Sequence, residues 1–121
     1  MGPLPVTVTV GEARDDDRDM VVPVTAVMSM EKVTLLPRDD GYVGRVHVYL
    51  SVFDEHGRNI GFHHQTQEVT LPADQLQNAM GEPFRYTIKV HLRKGGGFKV
   101  MMTLRDELSN EMGSAARDVR L

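Results

Sequence analysis

Three histidines set the first chemical question, because His63 and His64 are adjacent and His47 lies one strand earlier, and neutral imidazole is the commonest metal ligand. Neighbouring residues on a strand point to opposite faces, so His63 and His64 cannot chelate one ion together. His47 and His63 make a better pair, as diagonal neighbours on one face. No third ligand and no zinc-type spacing accompanies them, so neither metal nor cofactor is expected. Asp15-Asp16-Asp17 with Asp19 could offer oxygens to Ca²⁺, which takes about six to eight. The run lacks the spacing of an EF-hand, and Arg14 and Arg18 offset its charge, so it reads as a solvated turn with calcium left open. Asp39-Asp40-Gly41 reads as a turn too. Gly95-Gly96-Gly97 between Lys94 and Lys99 suggests an anion nest, but it has neither the GxxxxGK[ST] pattern nor a following helix. No G-x-S-x-G surrounds Ser29, Ser51, Ser109 or Ser114, no histidine falls in a triad order, and paired carboxylates stay unsupported. The chain is expected not to be an enzyme.

What must position these residues is bounded by composition. The chain has 121 residues, with 14 Lys plus Arg against 17 Asp plus Glu, 40% hydrophobic residues and no cysteine. That length suits a single domain over 1–121, and the apolar fraction is too high for a disordered chain. A net charge of -3 argues against a phosphate-backbone binder, which needs a concentrated basic surface. The lack of cysteine removes disulfides, thiolate metal sites and Cys nucleophiles while leaving the compartment open. Met1-Gly2-Pro3-Leu4-Pro5 lacks the basic start and the roughly 7 to 15 apolar residues of a secretory signal, and no stretch nears the roughly 18 needed to cross a bilayer. A soluble domain excised from a longer multidomain protein is expected.

The apolar period is two throughout. Val6, Val8 and Val10, then Val22, Val24, Ala26, Met28 and Met30, recur at every second position, as on strands with one face toward a core. Tyr42 to Phe53 sets Val46, Val48, Leu50 and Val52 against His47, Tyr49, Ser51 and Phe53. From Phe84 to Leu92 an apolar face alternates with the basic outer face of Arg85, Lys89, His91 and Arg93, and Phe98, Val100, Met102 and Leu104 continue the pattern. Sixteen valines against six alanines favour pleated sheet. Only Ala73 to Met80, after Leu71-Pro72, reads as a short helical turn. With shorter segments near 33–36, 58–71 and 111–120, the reading is all-β: an immunoglobulin-like antiparallel β-sandwich of about 7 to 8 strands.

One hairpin can be registered. Asp54-Glu55-His56-Gly57 suits a type I turn followed by a left-handed glycine, pairing residue 54 with 58. Carried on without interruption, that register sets Val52 opposite Ile60, Leu50 opposite Phe62 and Val48 opposite His64, all facing the core. A slip by one would expose Ile60 and Phe62, a loss on the order of several kcal/mol if both were buried. His47, Tyr49, Phe53 and His63 would then form an outer aromatic and imidazole stripe, the candidate binding surface.

The succession Val21 through Val52, Asp54-Glu55-His56-Gly57, Leu71-Pro72, Phe84 to Leu92, Gly97-Phe98-Lys99-Val100, Leu104-Arg105-Asp106 and Gly113-Ser114 resembles the carboxy-terminal β-sandwich of bacterial, acidobacterial-type von Willebrand factor A-related proteins. The resemblance implies an accessory immunoglobulin-like domain of an exported protein, periplasmic, cell-surface or extracellular, with no activity established for it. The A domain's Asp-x-Ser-x-Ser is absent from this chain, so metal-dependent adhesion does not carry over. Where such modules show Pro-Gly-x-Tyr, this chain has Gly95-Gly96-Gly97-Phe98, without the hydroxyl of a tyrosine corner; the glycines would let the chain swing from one sheet to the other. Two functions follow. The first is a noncatalytic interaction module that meets other domains of its parent chain or a protein partner, with no nucleic acid and no membrane insertion, and with a homodimer through sheet edges conceivable. The alternative is carbohydrate or calcium binding.

Overall fold

The computed structural model describes residues 4–121, so Met1, Gly2 and Pro3 of the opening segment lie outside the described residues. Alternating valines build two antiparallel sheets. The strands are β1 (Thr7–Val10), β2 (Arg14–Asp16), β3 (Asp19–Ser29), β4 (Leu36–Arg38), β5 (Gly41–Phe53), β6 (Asn59–Pro72), β7 (Pro83–Arg93), β8 (Gly97–Asp106) and β9 (Met112–Arg120). In the first sheet β3 is central, with β7 along one side and β1 and β2 end to end along the other. In the second, β5 pairs with β6 on one side and with β8 and the short β4 on the other, and β9 continues from β8. The first sheet is thus three columns wide and the second four.

The fold is the all-β antiparallel sandwich that the period of two predicts. Val22, Val24, Ala26 and Met28 from β3 face Val46, Val48, Leu50 and Val52 from β5 and Val100, Met102 and Leu104 from β8, all buried. The helical turn after Pro72 is present as a 3-10 turn, Ala73–Gln75, running into α1 (Leu76–Met80). Lys94 to Gly96 carries the chain from β7 in the first sheet to β8 in the second, with Gly95 at a positive φ, as the glycine run implied. Strand β2 was not foreseen; its acidic run closes a tight turn through Asp17 at φ 62°.

One side of the sandwich is closed. β1 lies beside β9: Leu4 N–H donates to the carbonyl of Met112 at 3.0 Å, and Arg117 Nε donates to the carbonyl of Val8 at 2.9 Å. The approach needs a glycine, since a Cβ on Gly113 would stand 1.9 Å from the carbonyl oxygen of Leu4. The other side is open, with β7 and β6 as free edges of their sheets.

The hairpin confirms the loop and corrects the register beyond it. Asp54 N–H donates to the carbonyl of Arg58 at 3.0 Å, and Gly57 takes φ 78°. Phe53 pairs with Asn59, but Val52 then pairs with Gly61, Leu50 with His63, Tyr49 with His64 and His47 with Thr66. The displacement is a β-bulge at Ile60, held by the Asn59 Oδ1, which accepts from the Gly61 N–H at 3.1 Å. Two ends of one strand demand opposite parities. The turn fixes Asn59 opposite Phe53, whereas Val69, opposite Gly44, must face inward to become 8% exposed. One extra residue reconciles them. The expected cost of exposing Ile60 and Phe62 does not arise, because β6 is the fourth column of its sheet and overhangs the three-column sheet opposite. Even the residues it turns inward there, His63, Gln65 and Gln67, are exposed.

Candidate functional site

The bulge decides which side chains share the outer face of the second sheet. On β5, odd-numbered residues from Arg45 to Phe53 point outward, opposite the buried Val46 to Val52. Opposite them on β6 the outward set is Phe62, His64, Thr66 and Glu68. His47 and Tyr49 therefore stand in the stripe as expected, but their companion is His64 and not His63, which turns to the opposite face beside Leu50. Phe53 lies on the outer face as expected, yet at the hairpin end, where it lines a groove of about 840 Å³ with Glu55, Phe98, Lys99 and Arg120.

The rings form a stacked row. His64 lies parallel to Tyr49, 6° between planes and 4.6 Å between centroids, and His47 is 5.4 Å from His64. Phe62 extends the row at 6.4 Å from Tyr49, its ring tilted by 39° and not stacked. Hydrogen bonds hold the two imidazoles and the tyrosine. His47 Nε2 is 2.9 Å from Glu107 Oε1, and its Nδ1 is 3.1 Å from His64 Nε2 and 3.2 Å from Thr66 Oγ1. With Nε2–H donated to the carboxylate, Nδ1 is the acceptor for an imidazole N–H or the threonine hydroxyl, an assignment made from the network. Tyr49 Oη accepts from Arg105 Nε and Nη2 at 3.3 and 3.2 Å, while Arg105 Nη1 donates to Asn110 Oδ1. Arg45 bridges Glu68 and Glu107 at 3.7 and 3.8 Å. Such a row presents flat rings and hydrogen-bonding tips held in one orientation, which is the chemistry of contact and stacking.

Exposed apolar residues share its face. The exposed large hydrophobics among the described residues are Leu36, Ile60, Phe62, Leu108 and Met112. Leu36 pairs with Val43 and Met112 with Arg105, so both point outward from the second sheet. Leu108 shares a groove of about 200 Å³ with Leu36, Arg45, Glu68 and Glu107, and Ile60 is the unpaired residue of the bulge at the hairpin end. The outer face of the first sheet carries no exposed large hydrophobic among the described residues: Thr25 and Thr87 hydrogen-bond at its centre at 2.7 Å, Arg85, Lys89 and Arg93 run along β7, and Val21, Pro23 and Val27 between them are half-buried.

The acidic run Asp15–Asp19 is engaged with β7 and the connection after it, Asp16 Oδ2 with His91 Nδ1 at 3.6 Å and Asp15 with Lys94. No group of three or more metal-ligating side chains gathers among the described residues. Among the described residues one charge is buried, Asp106, whose Oδ1 accepts from the Thr34 N–H at 3.1 Å and Oδ2 from the Ser109 N–H at 3.0 Å. Burial pushes its carboxyl up, but the hydrogen bonds from Thr34 and Ser109 outweigh that and hold it below the ordinary value. It anchors the loop that crosses from β3 to β4. Sequence reasoning missed Phe62, His64, Arg105 and Glu107; the parity of Val69 and Leu71 against the turn was the signal that could have found the first two.

Neither a family model nor a curated protein matches the chain. Among solved structures it is similar to Bacteroides uniformis β-glucuronidase, at 9% identity and TM-score 0.56 over 96% of this chain and 13% of that one. It is also similar to a Northeast Structural Genomics Consortium target, at 16% identity and TM-score 0.49 over 98% of this chain and 86% of that one. A third is a protein from Archaeoglobus fulgidus, at 12% identity and TM-score 0.44 over 99% and 96%. The chain thus spans a small part of the glucuronidase, and what the two share is a fold. No helix among the described residues is long and apolar enough to cross a membrane.

Proposed function

We propose that this chain is a noncatalytic accessory module that docks another protein surface, a neighbouring domain or a separate chain, on the outer face of its second sheet. The observation that carries the reading is the distribution of exposed large hydrophobics: Leu36, Phe62 and Met112 point outward on the sheet face that bears the Tyr49–His64 stack, with Leu108 in the groove beside Leu36 and Ile60 at the bulge, while the other outer face sets only the half-buried Val21, Pro23 and Val27 among threonine and basic side chains. The resemblance to the sandwich of von Willebrand factor A-related proteins supplies a setting, an exported bacterial protein in which such a module abuts its neighbours.

A photo-crosslinking residue at Met112, in the protein expressed in its natural setting, is expected to give one dominant adduct, and the same residue at Thr87 none. Equal adducts from both faces would overturn the reading. The second reading, carbohydrate recognition, is favoured by the exposed ring of Phe62 and by the fold shared with part of a β-glucuronidase. Against it, one face of Tyr49 is already covered by His64. Binding on a glycan array that disappears with Phe62→Ala would favour sugar over protein.

A further inference from the structure

The two free edges on the open side of the sandwich are unlike. β7 carries Arg85, Lys89 and Arg93, and basic side chains on an edge strand keep it from pairing with its own copies. β6 has no such guard: from Asn59 to Gln67 it holds no Asp, Glu, Lys or Arg, and from Phe62 to Glu68 it is exposed on both faces. Over that length it pairs with β5 alone, and the row of backbone groups turned away from β5 has no strand partner among the described residues, with a side-chain contact only at the Glu68 carbonyl, which accepts from Gln67 Nε2 at 2.9 Å. We propose that β6 pairs with β6 of a second copy, antiparallel about a two-fold axis near Gln65, so that the second sheet runs unbroken through a homodimer. The interface goes beyond the docking face described above and does not depend on it.

The occupant is read from the side chains. A two-fold axis at Gln65 sets it opposite its own copy, His63 opposite Gln67, and His64 opposite Thr66. Histidine, glutamine and threonine each offer both donor and acceptor, so the strand complements its own reverse, and no like charges meet. The same operation on β7 would bring its three cations against one another. The overhang of β6 beyond the first sheet leaves approach open on both faces of the strand.

The test is sedimentation equilibrium on the whole chain across its soluble concentration range. The native chain is expected to dimerise, Gln65→Lys to weaken the dimer about tenfold or more by opposing two cations, and Lys89→Gln to leave it unchanged. Gln65→Lys mixed with Gln65→Glu should restore a mixed dimer, which a merely misfolded variant cannot do. A single-chain mass for the native protein at every concentration overturns the proposal, as does a dimer indifferent to Gln65→Lys. Loss of the dimer in Met112→Ser with retention in Gln65→Lys would move the contact to the docking face, overturning the edge while leaving the proposed function intact.

Discussion

Asn59 shows how much of the site depends on one side chain. Its Oδ1 caps the bulge through the Gly61 N–H, and the bulge turns Phe62 and His64 toward Tyr49. Asn59→Ala is expected to lower stability by about 1 kcal/mol, as for a lost side-chain to backbone hydrogen bond, and to broaden the Phe62 and His64 resonances, since the alternative register becomes more accessible. Unchanged chemical shifts along β6 would show that the parity of Val69 alone sets the register. Asp106 is the second such residue. Asp106→Ala leaves the N–H groups of Thr34 and Ser109 without their carboxylate and should cost about 2–4 kcal/mol in urea denaturation. Its folded carboxyl titrates below the ordinary 3.8, so its contribution is complete above that value and disappears as pH falls through the lower, folded one. Asp54, held down by the backbone N–H of Arg58 and despite some desolvation, acts in the same sense. Asp106→Asn should therefore flatten the acid limb of stability below about pH 4, and an unaltered limb would assign that limb to other carboxylates. The residues on β5 were legible because Val46 to Val52 fix its faces without ambiguity. Those on β6 were not: the turn and a distant valine impose conflicting parities, and burial of Ile60 and Phe62 needs a covering sheet, which ends one column short.

Among the elements, the closed seam between β1 and β9 is the most exacting. Gly113→Ala would force its methyl against the carbonyl of Leu4, and because backbone cannot yield as a flexible side chain does, a loss of about 1–3 kcal/mol is expected. Amide exchange should locate the damage: faster at Leu4, whose N–H reaches Met112, and little changed along β3. Equal acceleration throughout would indicate global loosening instead. Strands β3, β5, β7 and β8 were readable from alternation because both ends of each lie over the core. β2 carries only Arg and Asp, so no apolar pattern announces it, and its pairing with β3 follows from the tight turn.

At the scale of the whole molecule, the core is one layer of valine, methionine and leucine between the sheets, and Leu50, fully buried, sits at its centre. Leu50→Ala should cost about 2–5 kcal/mol, measured by thermal unfolding, whereas Leu36→Ala, on the exposed face, should change stability by less than about 0.5 kcal/mol. A large loss from Leu36→Ala would mean that this face is structural and not free for docking. The all-β class and its single interior were legible because period-two alternation and valine excess act on every strand alike. The unequal width of the sheets was not, since strand order depends on which edges the loops leave bare.

The seam has a mechanical consequence as well. Leu4 lies beside Met112 and Val8 beside Arg117, so the outermost strands of the chain run side by side with the same polarity. Tension pulling the two ends apart slides these strands lengthwise past each other, and the Leu4 and Arg117 contacts must fail together instead of opening one after another like a zipper. A module joined at both ends to other parts would resist stretching far better than its modest bonding there suggests, and Arg117→Ala should lower its rupture force in single-molecule pulling.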